Sequence, residues 1–378
     1  MTTTPTPPTS QTPQPPTAGT PTPDERSAPG YADRTALFEV LTGGWIAQCC
    51  YALTKLGVPD LLADGPRPVT GIAAATDSDP RALRRVLNVL AAAGLFRDHG
   101  HDSFGLTPAT RLLCTRTNRS SAVAAVLFGE EVYQSFGQIL HTLRTGRPAF
   151  EQVHGAPFYS YLEDHPDTGA AFSAAMGTAS VPTALAACDL TGLGTLVDVG
   201  GGDGGLLARV LARHPAARGV LVELPEAVEQ ARVKLTAAGL AERAEFAAGS
   251  FFDPLPKGAD VYTLTRVLHN WDDEQALAIL RRVREAIPEG GRLLVFERLE
   301  EEPGEPAPPA SERAAQAVFQ GRLIDLLMLV TLDGHDRTEA EYRALLTAAG
   351  FEVSAVRAAP LRSARAESLI EAVPCPLP

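Results

Sequence analysis

One stretch constrains the fold more than any other: Leu196-Val197-Asp198-Val199-Gly200-Gly201-Gly202-Asp203-Gly204-Gly205. An apolar run long enough for one strand enters a glycine-rich turn, and an amphipathic helix follows. Glycines let the backbone turn sharply and approach a ligand with no Cβ in the way. In sheets built this way the ligand sits beyond the carboxyl ends of the strands. Two cofactor patterns fit these letters. Gly200, Gly202 and Gly205 satisfy the dinucleotide fingerprint, whereas Asp198, Gly200, Gly202 and Gly204 satisfy the acidic turn of S-adenosylmethionine enzymes. Glu223, about twenty residues on, is placed to accept hydrogen bonds from ribose hydroxyls of either one. On this loop alone the choice stays open.

Around the turn, β-rich runs alternate with amphipathic helices. The runs are Thr195–Val199, Gly219–Leu224, Ala244–Ala248, Ala259–Val267 and Arg292–Arg298, and helices start near Gly205, Pro225, Asp272 and Ser311. This alternation predicts an α/β domain with a parallel sheet. The last two runs, Phe351–Ala358 and Ser368–Val373, are joined only by a loop, so they should be antiparallel. The carboxyl ends of the parallel runs gather Gly249-Ser250-Phe251-Phe252, Thr265-Arg266-Val267-Leu268-His269-Asn270-Trp271 and Phe296-Glu297-Arg298 along one sheet edge. A nicotinamide enzyme usually needs a large substrate domain after such a fold. Here the bulk lies before it, which favours S-adenosylmethionine.

That preceding bulk is helical. Leu37, Val40, Leu41, Trp45, Ile46, Leu53, Leu56 and Leu61 recur at helical spacing, and a second helix opening at Asp79-Pro80 carries Leu83, Val86, Leu87 and Leu90 on one face. A hairpin over Leu95–Arg97 and Phe104–Leu106 completes a winged-helix outline, which elsewhere reads DNA. A formal charge of −12 argues against nucleic acid, whose phosphates need a basic surface. Residues 1–30, rich in Thr and Pro, are expected to be a disordered tail. Residues 31–119 form the winged-helix-like domain, 120–190 a helical linker with pocket residues, and 191–378 the cofactor domain. No apolar run is expected to approach the roughly 20 residues that span a bilayer, and the first residues lack the basic start and apolar core of a signal peptide. The cysteines, Cys49, Cys50, Cys114, Cys188 and Cys375, show no metal-ligand spacing. They are expected to be reduced cytoplasmic thiols, with no metal and with activity that survives chelator.

With these motifs in hand, the chain resembles the caffeic-acid-type family of small-molecule O-methyltransferases, especially its bacterial antibiotic-pathway branch. The resemblance runs from about Leu37 to Ala372. Its landmarks are Ala52–Leu62, Phe172-Ser173-Ala174-Ala175-Met176, the glycine turn, Val222-Glu223-Leu224-Pro225, Leu268-His269-Asn270-Trp271-Asp272-Asp273-Glu274, and Asp325–Leu329 followed by Gly334-His335-Asp336-Arg337-Thr338. It implies a winged-helix-like N-terminal domain that forms a homodimer, and a Rossmann-like class I methyltransferase domain with an antiparallel last strand. It implies His269 as catalytic base, with Glu297 and Asp336 as acids that orient it. The family more often has Glu at the latter position, and Asp336 also reads as a helix cap before Thr338–Ala349. The resemblance further implies S-adenosylmethionine contacts from Asp198, Gly200, Gly202, Glu223, Leu224, Ser250, Phe251, Thr265 and Arg266, with S-adenosylhomocysteine as product. Relatives commonly carry Asp where Ser250 stands, and Lys or Ser where Thr265 stands.

The substrate pocket should be apolar and flat, from Phe172, Met176, Asn270, Met328 and Leu332, with Phe128, Tyr133 and Phe158 nearby. For the apolar members, plain core packing is the competing reading. The expected reaction is O-methylation of an aromatic small molecule. N- or C-methylation, a repurposed hydroxylase, decarboxylase or cyclase on the same scaffold, and a non-catalytic winged-helix regulator remain as alternatives.

Overall fold

The structure, a computed structural model, describes residues 30–117, 120–169, 172, 181–301, 311–357 and 367–375. The expected disordered tail and Met176 lie outside the described residues. The chain divides into two units, Met1–Gln48 and Cys49–Pro378. Helix α1 (Tyr31–Lys55) begins in the first and ends in the second. By length and composition it passes for a membrane span, with a mean hydropathy of 1.3. This corrects the expectation that no run approached such a length. The apolar residues of α1 are interspersed with Gly, Thr and Gln, so they form no unbroken run.

Within the second unit, α2 (Val69–Ala75) and α3 (Pro80–Ala92) pack on a small antiparallel sheet. Its strands β1 (Arg67–Pro68), β2 (Phe96–Asp98) and β3 (Ser103–Leu106) lie in the order β1-β3-β2. Asp79 caps α3 by accepting from the backbone of Arg81 and Ala82 at 3.0 and 2.7 Å, which satisfies two of the orphan donors of the first turn. Leu83, Leu87 and Leu90 then fall on one buried face, together with buried Ile72, Phe96 and Phe104. Short helical segments follow, among them α4 (Ala149–His154) and α5 (Phe158–Asp164).

The large sheet contains β4 (Thr195–Val199), β5 (Arg218–Glu223), β6 (Ala244–Ala248), β7 (Val261–Thr265), β8 (Arg292–Glu297), β11 (Phe351–Arg357) and β12 (Ser368–Pro374). Two-residue strands β9 (Leu299–Glu300) and β10 (Arg337–Thr338) pair separately and in parallel. The large sheet runs β11-β12-β8-β7-β4-β5-β6, and β12 alone runs opposite to the other six strands. Both faces are covered, which is why the strands read as continuous apolar runs. Leu293 and Val295 face a core with α8 (Asp273–Ala286) and α10 (Glu339–Ala348). Leu294 and Phe296, the alternate residues, face the opposite core with α6 (Gly205–Arg213) and α7 (Pro225–Ala237). Each such side chain, fully buried, contributes about 1.5–3 kcal/mol.

Strand β7 stops at Thr265, two residues before the expected end, because Arg266 turns the chain with φ 55°. Past β8 the chain enters β9, whose Leu299 registers with Arg337 of β10. This pairing brings Asp336 alongside the Glu297-Arg298 segment. Helix α10 then starts on a capping box in which Glu341 and Thr338 exchange backbone and side-chain bonds. The cap is therefore Thr338, and the Asp336 carboxylate is left for other partners.

Candidate active site

The glycine turn sits at the carboxyl end of β4. Gly200, Gly202 and Gly204 have φ of 66°, 56° and 74°, a region costly for residues with a Cβ. A Cβ on Gly200 would meet Val267 Cγ2 at 2.8 Å and Phe251 Cε1 at 3.5 Å, while one on Gly202 would meet open space. At Gly202 the turn thus presents bare backbone to open space. Glu223 ends β5 beside it. Its carboxylate accepts from the Gly202 and Leu224 amides at 3.0 and 2.8 Å, and burial raises its pKa against those two bonds. Leu224 stays exposed next to it. Ser250 Oγ accepts from the Phe252 amide at 3.1 Å and keeps its own proton to donate. Thr265 Oγ1 is buried without a hydrogen-bond partner.

Two of the expected cofactor contacts are arranged differently. Asp198 is fully buried beneath the turn rather than lining the crevice: its Oδ1 accepts from Thr263 Oγ1 at 2.7 Å, and its Oδ2 has no hydrogen-bond partner. Burial pushes its carboxyl up to about 7. Arg266 directs its guanidinium to Glu367 at 3.0 Å, because the start of β12 places that carboxylate within its reach.

Beyond Arg266, a short helical turn, Leu268–Asn270, carries His269. Glu297, wholly buried at the end of β8, accepts from the amides of Val267 and Leu268 at 3.0 and 2.9 Å through Oε1. Its Oε2 lies 3.7 Å from His269 Nδ1. Asp336 Oδ1 lies 3.6 Å from the same nitrogen, and its Oδ2 accepts from Arg298 Nε at 2.5 Å. Burial works to lower the His269 pKa, but the Glu297 and Asp336 carboxylates outweigh it and hold the imidazole above its ordinary value. Glu297 is raised, chiefly by burial and further by Asp336. Asp336 is held low: burial opposes ionisation, yet His269 and Arg298 together prevail. The turn's outer side is closed by Arg337, fully buried, whose guanidinium donates to the carbonyls of Leu268 and Trp271 at 3.0 and 2.7 Å.

Aromatic side chains cluster around Trp271. Trp271 stacks on Tyr159 at 5.3 Å and meets Phe251 and Phe252 edge-on at 5.8 and 5.0 Å. Tyr159 continues into Phe158, Phe172 and Leu332. Met328 is buried in α9 (Glu312–Thr331), whereas Phe128 and Tyr133 are exposed. Asn270 donates to the Arg266 carbonyl at 3.2 Å and also bonds Tyr159. The Tyr159 phenol is raised by burial and by the Glu223 carboxylate. Neither Tyr159 nor Arg337 was singled out from sequence. The run Phe158-Tyr159-Ser160-Tyr161 was the available signal for the first; nothing local distinguishes the second. Among the described residues, no group of three or more His, Cys, Asp and Glu side chains is arranged to hold a metal ion.

The strand order, the glycine turn and the acid closing the neighbouring strand define a Rossmann-like class I methyltransferase. Residues 136–352 match the model of the O-methyltransferase domain, and residues 38–116 that of the O-methyltransferase dimerisation domain. The chain belongs to the S-adenosylmethionine-dependent O-methyltransferase family. It is 36% identical to a phenazine O-methyltransferase of Lysobacter antibioticus, over 89% of this chain and 95% of that one. It is 37% identical to the 8-amino-8-demethylriboflavin N,N-dimethyltransferase of Streptomyces davaonensis, over 87% and 94%. A solved O-methyltransferase from neocarzinostatin biosynthesis, in complex with S-adenosylmethionine and 2-hydroxy-5-methyl naphthoic acid, superposes with a TM-score of 0.73 at 32% identity, covering 87% of this chain and 95% of that one. The cofactor is S-adenosylmethionine, and the open backbone at Gly202 with the Glu223 carboxylate beside it fits that group.

Proposed function

We propose that the protein methylates a hydroxyl of an aromatic secondary metabolite, with His269 as general base. The observation that carries this is the pair of buried carboxylates on one edge of the His269 ring. Both approach Nδ1, so the proton of the neutral imidazole belongs on Nδ1 and the lone pair on Nε2. A phenol titrates near 10 and is mostly neutral at pH 7, so a positioned base is useful to it. The bound sulfonium supplies a methyl carbon that needs no further activation. As the oxygen–carbon bond forms and the sulfur–carbon bond breaks, the phenolic proton passes to His269 Nε2. The positive charge that results lies between Glu297 and the ionised Asp336.

Gly200, Gly202, Glu223, Leu224, Ser250, Phe251 and Thr265 would hold the cofactor. Trp271, Tyr159, Phe158, Phe172, Leu332 and Met328 would wall a flat substrate, with Asn270 at its polar edge. Residues 31–119 would form the homodimer contact, 120–190 the pocket segment, and 191–378 the cofactor domain. The enzyme would act in the cytoplasm on a small molecule made by bacterial secondary metabolism. The riboflavin-type relative supports a second reading, N-methylation of an aromatic amine.

The test is turnover of paired phenols and anilines, with wild type and His269→Gln, followed by mass spectrometry. The variant should lose about 10²–10⁴ in kcat on phenols and keep its calorimetric affinity for S-adenosylmethionine. Full turnover in the variant removes the base, and methylation of anilines alone favours the second reading.

A further inference from the structure

We propose that Arg337 and Gly334 are positioning residues for the reaction: together they clasp the His269 turn from outside and set where its imidazole stands. This rests on the reading of His269 as base.

The turn is held on two sides by different chemistry. On the amide side, Glu297 Oε1 accepts from Val267 and Leu268 at 3.0 and 2.9 Å. On the carbonyl side, the Arg337 guanidinium bonds Leu268 and Trp271 at 3.0 and 2.7 Å, the residues that bracket His269 and Asn270. A planar guanidinium with fixed donors sets the separation of those two carbonyls; an ammonium cannot. Burying this cation completely would be costly unless its donors were satisfied. They are: Nε meets Asp273 Oδ1 at 2.9 Å as well. Asp273 is itself largely exposed, so the ion pair contributes less than the two carbonyl bonds.

Gly334 completes the clasp. A methyl group there would overlap the carbonyl oxygen of His269 and the backbone of Asn270, so the loop lies flush against the catalytic turn only because position 334 has no side chain. The same loop delivers Asp336 to His269 Nδ1. Loop 334–337 therefore controls both the backbone that carries the base and one of the carboxylates that orients it. The charged and titratable groups around the imidazole are Glu297, Asp336 and Arg266, and none of them is removed by changes at 334 or 337.

The experiment compares Arg337→Lys, Gly334→Ala and Asp273→Asn with wild type and His269→Gln. Readouts are the pH profile of kcat, KM for the accepted phenol, and calorimetric affinity for S-adenosylmethionine, measured on protein shown folded by circular dichroism. Arg337→Lys and Gly334→Ala should each lower kcat at least tenfold and displace the acidic limb of its pH profile. Cofactor affinity should stay within about twofold, and Asp273→Asn should resemble wild type. If Arg337→Lys does not fold, Gly334→Ala alone carries the test. A folded Gly334→Ala or Arg337→Lys that melts earlier but keeps wild-type kcat and pH profile overturns the proposal, because that is what a merely structural role predicts. An active His269→Gln would instead overturn the base assignment beneath it.

Discussion

At the scale of single residues, burial and charge pull the titratable groups of the site in different directions, and each has a pH signature. The His269 pKa is raised, so the neutral form needed for proton abstraction is reached only above the ordinary imidazole value of about 6.5. The acidic limb of kcat/KM, which reports the free enzyme, should therefore lie on the alkaline side of that value. Asp336→Asn removes one of the charges that raise it. Its limb should move toward acid while kcat falls by part of the roughly 10²–10⁴ that general base catalysis supplies. A limb that stays in place would mean that Asp336 does not act on the imidazole. Asp198 is a separate case. Its folded pKa of about 7 lies above the unfolded carboxylate value, so the stability it lends is full below that unfolded value. This stability is lost as pH rises through about 7. Asn at this position does not titrate and still accepts from Thr263. The melting temperature of ligand-free Asp198→Asn should gain on wild type between pH 5 and pH 8, by an amount worth on the order of a few kcal/mol. Parallel curves would show that the carboxyl is not the buried titrating group.

At the scale of elements, the large sheet was legible because strands covered on both faces leave unbroken apolar runs, and because helices announce themselves by caps such as Asp79 and Asp272. The glycine turn and the strand-end positions of Glu223, His269 and Glu297 were legible because strand ends in such a sheet converge on one edge; the roles of His269 and Glu297 came from the family resemblance alone. What escaped had no local pattern. Strands β9 and β10 are too short to show alternation, yet their pairing is what sets Asp336 beside Arg298. The role of Arg337 has no local signal, since its partners are backbone carbonyls 69 and 66 residues away. The stacking of Tyr159 on Trp271 joins segments that no periodicity links. That the Arg266 guanidinium turns to Glu367 was not legible, because a strand end says where a residue lies and not which way its side chain goes. The capping box of α10 bears on the same region. Thr338→Ala should cost about 1 kcal/mol, a melting shift of roughly 2 °C. It should also lower kcat, since the cap fixes the helix start directly after Asp336 and Arg337. A stability loss with unchanged kcat would show that β10 holds its place without the cap.

At the scale of the whole molecule, the first helix carries an unusual load. Leu37, Leu41 and Trp45 recur every four residues, and with Phe38 and Val40 all five are more than half exposed in the protomer. Large apolar side chains concentrated on one helix mark an association surface, and the match to the dimerisation domain begins at residue 38. Burying these five side chains is worth roughly 8–15 kcal/mol, at about 1.5–3 each. Association costs about 4–15 kcal/mol in lost freedom. The two terms are close enough that a pair of charges should decide the state. Leu41→Lys with Trp45→Glu should sediment as a monomer at micromolar concentration, where the wild type should sediment as a dimer. The glycine turn, Glu223, His269, Glu297 and Asp336 all fall between residues 198 and 337, outside the unit that ends at Gln48. The monomer should therefore bind S-adenosylmethionine with wild-type affinity by calorimetry. A variant that stays dimeric would move the contact away from this helix, and one that loses the cofactor would tie assembly to the glycine turn.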